Sequence, residues 1–263
     1  MIKILTVILL QFIFLDGRGQ KYLLNSPDKK LTAAIEIKHE IIVKISKESK
    51  PIFSLNGISL ETIDEKQPFR NLQVKTISRK MVDEAIKPII REKSETYKNY
   101  FNELVIIFKS NYSLSFRLFN EGLAYRFSTT VKDSITILKE NLRIQFQESD
   151  SVRFQSSKSF YSGYETPYEF KKLSCLEVGK LCNLPVLIEK QNGLFVMITE
   201  SDLYNYPGLW LKGTGKSELE VTNPKFPKEL SHEGSIYDEE QIAERWDYIA
   251  KVQGIRTYPW RLF

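Results

Sequence analysis

The sequence predicts an all-β protein, a large β-sandwich with few short helices. Apolar and polar residues alternate with a period of two in many short segments, as at residues 31–37, Leu-Thr-Ala-Ala-Ile-Glu-Ile. Turn-forming or charged residues separate these segments at short intervals, a spacing typical of sandwiches and barrels. No long stretch has a capped 3.6-residue period, and residues 239–247 are a brief helical candidate. Because the edges of such sheets need cover, two packed sheets are favoured over one open sheet.

The predicted strands follow one another along the first half of the chain. They lie at residues 31–37, 41–46, 52–55, 58–63, 72–77, 104–108, 112–119, 123–131, 135–138 and 142–146. Ser110-Asn111 links two of them as a hairpin. Asn192-Gly193 does the same between apolar runs at 184–189 and 194–198, because Asn-Gly favours tight turns between strands.

Two later stretches, 156–183 and 212–234, break this alternation and are predicted to be irregular. The first is rich in tyrosine, and long ordered loops often carry function. Aromatic faces stack on sugar rings as well as on other side chains, so Tyr164 and Glu165 are substrate-binding candidates. Their alternatives are packing over the sandwich for Tyr164 and a surface position for Glu165. Arg126, inside an apolar strand, is a third candidate, with a buried ion pair to a sheet glutamate as its alternative.

The composition excludes some classes of partner. The 263 residues include 38 Lys and Arg against 33 Asp and Glu, a formal net charge of +5. The lysines are scattered among glutamates without a basic run of five or more, so no nucleic-acid partner is predicted. Hydrophobic residues are 42% of the chain, enough for a large core.

Residues 1–19 predict a secretory signal peptide. Lys3 supplies the positive charge, residues 4–15 are almost entirely apolar, and Gly17 and Gly19 are the small residues before a cleavage site. The apolar run is too short to span a bilayer, so no transmembrane segment is predicted. We expect an exported, periplasmic protein, with a buried N-terminal strand as the alternative for this run.

The cysteines and histidines indicate no catalytic or zinc site. Cys175 and Cys182 either close a short disulfide loop in an oxidising compartment or remain two free thiols. Neither has a neighbouring histidine. His39 and His232 lie far apart in the sequence, so a zinc site built from these four residues is not predicted.

Two carboxylates are the strongest candidates for metal binding. Glu200 and Asp202 follow directly on the apolar run 194–198. Carboxylates at the end of a buried strand are hard oxygen ligands on a rigid support, which is the chemistry that Ca²⁺ prefers. Glu200 is the primary candidate, and Asp202 is either a second ligand or a cap on the aromatic turn that follows.

The same stretch carries a resemblance through Thr199-Glu200-Ser201-Asp202-Leu203 and Tyr206-Pro207-Gly208. Further motifs follow in order: Tyr22 with Ser26-Pro27-Asp28, Asp83-Glu84 with Ile86-Lys87-Pro88, Tyr100-Phe101-Asn102-Glu103-Leu104, Glu121-Gly122-Leu123-Ala124-Tyr125-Arg126-Phe127, Asp247-Tyr248-Ile249-Ala250 and Gly254-Ile255-Arg256-Thr257-Tyr258-Pro259-Trp260-Arg261. Together they resemble the N-terminal domain of glycoside hydrolase family 97, the calcium-dependent α-glucosidases and α-galactosidases of Bacteroidetes.

The resemblance implies a β-supersandwich like that of galactose mutarotases over residues 20–255. Residues 256–263 are then the start of a link to a catalytic (β/α)₈ barrel absent from this chain. The implied catalytic acid and base lie in that barrel, so this chain is expected to hold no catalytic residue. Glu200 becomes one ligand of a Ca²⁺ ion shared with the barrel. We expect it at an exposed strand end with open space beside it, and an internal ion pair with Arg or Lys would count strongly against this role. The implied substrate is an oligosaccharide, an α-glucoside or α-galactoside.

Two other functions remain as alternatives. A stand-alone, non-catalytic carbohydrate-binding or interaction module needs a complete aromatic platform on this chain. A mutarotase-like enzyme acting alone needs a His and a Glu converging in a groove, and neither His39 nor His232 lies in a resembling motif. A bare apolar face favours the family 97 hypothesis, since isolated domains rarely leave large patches exposed.

Overall fold

The computed structural model describes residues 19–63, 71–91, 93–232 and 241–263. Apart from Gly19, the predicted signal peptide lies outside these residues. The described residues form 20 strands and a 3-10 turn at Leu173–Cys175. In chain order the strands are β1 Gln20–Asn25, β2 Leu31–Ile37, β3 Ile41–Lys47, β4 Lys50–Thr62, β5 Val74–Ile86, β6 Tyr97–Phe108, β7 Tyr112–Phe119, β8 Leu123–Thr130, β9 Ile135–Gln145, β10 Ser151–Ser157, β11 Tyr168–Lys172, β12 Leu181–Glu189, β13 Phe195–Ser201, β14 Trp210–Gly213, β15 Glu218–Thr222, β16 Pro227–Ser231, β17 Gln241–Arg245, β18 Ala250–Val252, β19 Ile255–Thr257 and β20 Trp260–Leu262.

Eighteen of the strands form one continuous antiparallel network that folds into two layers. The first layer runs β1-β2-β3-β4-β9 and continues through β15, β14 and β12 to β10 and β11. The second layer runs β5-β6-β7-β8, and β19 and β20 pair with the far side of β8. Strands β16 and β17 form a separate hairpin. The predicted all-β sandwich is therefore confirmed.

The core lies between the inner faces of the two layers. In β2 the buried residues alternate with half-buried ones, as the period-two pattern predicts, and Ala33 and Ile35 are fully buried. Leu114 and Phe116 of β7 belong to the same hydrophobic cluster from the opposite layer. Each such Leu, Ile or Phe contributes about 1.5–3 kcal/mol when it leaves water, so burial of these faces holds the layers together.

Strand β13 belongs to both layers. Its residues 195–198 pair with β12 of the first layer, and residues 199–201 pair with β20 of the second. The β12–β13 hairpin is the one predicted from Asn192-Gly193. Gly193 has a φ of 76° in this turn, a conformation that glycine adopts without steric cost. The crossing strand carries Glu200 to the junction of the two layers.

Two pairs of predicted strands are single strands in the structure. Residues 52–55 and 58–63 lie in β4, whose pairing with β9 shifts register near Gly57. Residues 135–138 and 142–146 lie largely in β9. In both cases a glycine or a charged residue inside the strand indicated a break that the structure does not have. Tertiary contacts accommodate that residue within the strand, and a local sequence pattern does not report such contacts.

Other local predictions were wrong or incomplete. Most of the stretch 156–183 is free of strands, as predicted, although β11 lies inside it, whereas the stretch 212–234 contains β15 and β16. Within the helical candidate 239–247, residues 241–245 form β17, and the first two residues lie outside the described part of the chain. Residues 256–263, predicted as the start of a link, belong to the sandwich, because β19 and β20 pair with β8. These short strands depend on partners that are distant in the sequence.

The two cysteines are free thiols, which resolves the alternatives left by the sequence. Cys175 is exposed, whereas Cys182 is buried in β12. Burial raises the pKa of the Cys182 thiol to about 12, so this thiol stays protonated and unreactive at neutral pH. Among the described residues, no helix is both long and apolar enough to cross a membrane.

Candidate functional site

Glu200 is the next-to-last residue of β13 and faces the interior of the sandwich. It shares a strand face with the buried residues Val196 and Ile198, because side chains two positions apart point the same way. Only 14% of its side chain is exposed. The expectation that Glu200 lies at an exposed strand end was therefore wrong. The strand continues past the first layer and pairs with β20, so its end is covered.

Arg261 of β20 holds the Glu200 carboxylate. The two residues are directly opposite in the antiparallel register, which places both side chains on the same face. Arg261 donates from Nη1 to Oε2 of Glu200. Its Nε and Nη2 donate to Oε1 and Oε2 of Glu140, on β9, at 2.8 and 2.6 Å. We call Glu140, Arg261 and Glu200 the carboxylate–arginine cluster.

The three side chains of the cluster differ in their exposure to solvent. The side chains of Arg261 and Glu140 are 2% and 3% exposed, against 14% for Glu200. The backbone N–H of Leu209 donates to Oε1 of Glu200 at 3.0 Å, so the aromatic turn after β13 also fixes this carboxylate. Glu200 is thus the outward end of a buried polar cluster.

The charges within the cluster do not cancel. Two carboxylates face one guanidinium, so the cluster carries one net negative charge when both carboxylates are ionised. Burial raises the pKa of Glu200, and the charge of Arg261 and the N–H of Leu209 only partly offset this. Burial alone disfavours a charged Arg261, but Glu140 and Glu200 outweigh it and raise the pKa of the guanidinium. Arg261 therefore stays charged, and the unbalanced charge lies on the carboxylates.

Tyr164 lies in the strand-free segment 158–167, close to Glu200. Its ring centroid is 6.0 Å from that of Trp210, and half of the residue is exposed. Burial raises the pKa of Tyr164, and the charge of Glu200 raises it further. The loop therefore places this ring within electrostatic range of Glu200. Glu165, its neighbour, is exposed at the surface.

Arg126 and Asp202 form an ion pair of their own. Arg126 Nη1 lies 3.1 Å from Oδ2 of Asp202, and its Cζ lies 4.3 Å from the ring centroid of Trp260. Arg117 covers the same ring at 4.5 Å, so Trp260 is contacted by two guanidinium groups. The predicted ion pair of Arg126 exists, but its partner is a loop aspartate with a φ of 63° rather than a glutamate of the sheet.

The structure thus groups the predicted residues in two places. The charge of Glu200 acts on Tyr164, Arg126 pairs with Asp202, and Glu165 is exposed on the loop. Sequence reasoning missed Glu140 and Arg261. An arginine inside an apolar strand was a usable signal for Arg261, as it was for Arg126, but nothing local marks Glu140, whose partner lies 121 residues further along the chain.

Glu200 offers a single carboxylate as a metal donor, and its internal ion pair with Arg261 counts against this role. Among the described residues, no group of three or more His, Cys, Asp or Glu side chains could hold a metal ion. Ca²⁺ takes six to eight oxygen ligands. Each oxygen of Glu200 accepts one hydrogen bond and has a second lone pair. Glu200 can therefore supply a hard oxygen donor, with negative charge in excess, but only to a site completed by other groups.

An apolar groove of about 710 Å³ lies between the two layers and is lined by residues of both. Phe195 and Met197, on the opposite face of β13 from Glu200, line this groove and are each about half exposed. Phe263 lines it from the second layer. Among the described residues, this groove is an exposed apolar surface of the kind that favours the family 97 hypothesis.

Comparison with known proteins identifies the family. Residues 24–263 match the family described as glycosyl-hydrolase 97 N-terminal. The chain belongs to this family. It is 32% identical over 272 residues to a retaining alpha-galactosidase of Bacteroides thetaiotaomicron, covering 99% of this chain and 41% of that protein. The chain thus spans less than half the length of this curated relative.

Solved structures of family 97 proteins share the fold. A glycoside hydrolase family 97 enzyme of Pseudoalteromonas sp. strain K8, in complex with acarbose, superposes with a TM-score of 0.73 at 16% identity. A beta-arabinopyranosidase does so with a TM-score of 0.73 at 19% identity. The matches cover 92% of this chain and 35% and 40% of those chains. At these identities the likeness establishes the supersandwich fold alone.

Proposed function

We propose that this chain acts as the N-terminal domain of a glycoside hydrolase, supporting a catalytic (β/α)₈ barrel and forming one wall of its pocket. The family match over residues 24–263 carries this proposal. The bare apolar groove supports it, because docking of a second domain covers such a surface. The chain is proposed to hold no catalytic acid or base of its own.

The proposed substrate is an oligosaccharide with a terminal α-galactoside or α-glucoside. The alpha-galactosidase relative supports the first sugar, and the resemblance to family 97 includes both. Tyr164 is the strongest candidate for a contact with the sugar, because its half-exposed ring lies near Glu200. Arg126 and Glu165 are weaker candidates, since Arg126 is engaged with Asp202 and Glu165 has no observed link to the cluster.

Glu200 is proposed to be this domain's ligand to a Ca²⁺ ion shared with the barrel. When bound, Ca²⁺ supplies positive charge that polarises a substrate oxygen or orients it. The net negative charge of the carboxylate–arginine cluster supports a cation at its outward end. Asp202 is a weaker candidate ligand, because it pairs with Arg126, whereas Glu200 shares Arg261 with a second carboxylate, Glu140.

Activity measurements test the proposal. The purified chain should not hydrolyse nitrophenyl α-galactoside or α-glucoside, whereas the complete enzyme containing it should hydrolyse at least one. Removal of calcium with a chelator should abolish that activity, and added Ca²⁺ should restore it. Hydrolysis by the chain alone would contradict the proposal that this chain holds no catalytic acid or base.

A stand-alone carbohydrate-binding module is the second candidate. The observation that favours it is the exposure of Tyr161, Tyr164 and Tyr168 on or next to the segment 158–167. Millimolar or tighter binding of maltose or melibiose to the chain alone, lost on Tyr164→Ala, supports this function. If the chain alone binds neither maltose nor melibiose, this second function is excluded and the first proposal stands.

Export to the periplasm is also proposed. It rests on the charge and apolar pattern of the first 19 residues. Mass spectrometry of protein expressed in a Gram-negative host should find a mature N-terminus at Gln20 in the periplasmic fraction. An uncleaved chain confined to the cytoplasm contradicts it.

A further inference from the structure

We infer that Arg261 is a positioning residue, held by Glu140, that fixes the Glu200 carboxylate for the calcium ion of the complete enzyme. This inference rests on the function proposed above and concerns the two residues behind the ligand. Neither was predicted from the sequence as a site residue, and neither belongs to the proposed ligand set.

Within the cluster, Glu140 and Arg261 form a fixed pair, and this pair orients Glu200. Arg261 uses both edges of its guanidinium, with Nε and Nη2 on Glu140 and Nη1 on Glu200. The Glu140 pair is bidentate, and this arrangement defines the orientation of the guanidinium plane. Because Glu140 comes from β9 and Arg261 from β20, the core of the sandwich fixes this plane. Glu200, the third member, is the one that reaches the surface.

A flexible glutamate is a poor metal ligand unless it is held. Ordering a free glutamate side chain on a metal ion costs rotamer entropy. In this domain the Glu200 side chain is already ordered before any metal binds. Arg261 fixes one carboxylate oxygen, and the N–H of Leu209 fixes the other. Lone pairs remain on both oxygens for an additional contact.

A purely structural role does not account for the second carboxylate. Arg261 and Glu140 already form a neutral, bidentate, buried pair. Placing Glu200 on the same guanidinium adds a negative charge where burial is costly. The arrangement is understandable if a cation outside this chain completes the charge balance at Glu200.

Arginine is required for this task because lysine cannot form the two-sided contact. A lysine keeps the positive charge but lacks the planar fork that holds two carboxylates in fixed positions. The exchange Arg261→Lys therefore preserves the charge of the cluster and removes the positioning of Glu200. Arg153→Lys is a matched control, since Arg153 also donates two hydrogen bonds to a glutamate, Glu189, outside the cluster.

A double-mutant cycle on the complete enzyme tests the inference. Calcium affinity is measured by calorimetry, and the rise in melting temperature on adding Ca²⁺ is recorded for each variant. We expect Arg261→Lys to weaken calcium binding about 10–100-fold, the usual effect of losing a residue that orients a ligand. The same exchange in a Glu200→Gln background should change the affinity no further, and Arg153→Lys should leave it unchanged.

The outcomes separate this inference from the proposed function. If Glu200→Gln leaves calcium affinity intact, the calcium role of Glu200 fails and the inference fails with it. If Glu200→Gln weakens binding but Arg261→Lys does not, or weakens it equally in both backgrounds, only the positioning role is overturned. Should Arg261→Lys not fold, Glu140→Asp, which keeps the charge but shortens the side chain, must weaken binding in the wild-type background alone.

Discussion

At the scale of single residues, the two glutamates of the carboxylate–arginine cluster have unequal roles. Glu140 neutralises a fully buried arginine through two hydrogen bonds, whereas Glu200 shares that arginine through one. Arg261 keeps a bidentate partner without Glu200 but not without Glu140. The two side chains should therefore differ in their contribution to stability.

We expect Glu140→Gln to lower the free energy of unfolding by about 3 kcal/mol or more, because it leaves a buried arginine without its bidentate charge partner. Glu200→Gln keeps a hydrogen-bond acceptor and should cost about 1 kcal/mol or less. Urea unfolding of the chain and its two variants measures both values. Equal losses, or a greater loss for Glu200→Gln, would show that the cluster does not depend on the Glu140 pair.

Glu103 of β6 gives a separate pH prediction. Burial opposes its ionisation, but Arg117 and Lys80 outweigh burial and hold the pKa of Glu103 below its ordinary value of 4.5. A carboxyl with a lower pKa in the folded state stabilises the protein above pH 4.5, and this contribution is lost as the pH falls through the folded pKa. Unfolding free energies measured between pH 6 and pH 3 should fall less steeply for Glu103→Gln. An unchanged slope contradicts this assignment.

At the scale of elements, β13 shows what the sequence could and could not predict. The Asn192-Gly193 hairpin and the apolar run through Ile198 are local signals, and the hairpin they predict was confirmed. The crossing into the second layer was not predictable, because it depends on β20, which lies some 60 residues later in the chain. The inward direction of the Glu200 side chain follows from that crossing. The sequence could therefore mark Glu200 as a candidate ligand, but it could not predict that its side chain is buried.

Gly254, just before β19, makes another element-scale contact that local patterns do not reveal. A Cβ at this position would lie 2.0 Å from the carbonyl oxygen of Asp133 and 2.4 Å from that of Val131. We expect Gly254→Ala to destabilise the chain by about 1–3 kcal/mol, the range for forced overpacking. Chemical denaturation should show a lower midpoint for this variant. Gly163→Ala, whose nearest contact is at 3.6 Å, is the control that should remain near wild type.

At the scale of the whole molecule, the chain is a sandwich with a bare apolar groove and an incompletely balanced buried cluster. The all-β fold followed from period-two alternation, the family motifs located Glu200, and the tyrosine-rich stretch after residue 156 made Tyr164 a candidate. The positions of Arg261 and Glu140 required the tertiary fold. Under the proposed function, a second domain covers the groove and supplies a cation to the cluster, which carries one net negative charge when both carboxylates are ionised.

Calcium titration by calorimetry, on the chain alone and on the complete enzyme, tests this account most directly. We predict no binding tighter than about millimolar for the chain alone, because a single glutamate cannot provide six to eight oxygen ligands. The complete enzyme should bind Ca²⁺ tightly, and Glu200→Gln should weaken that binding at least about tenfold. Micromolar binding by the chain alone, or undiminished binding by the Glu200→Gln enzyme, would contradict the account.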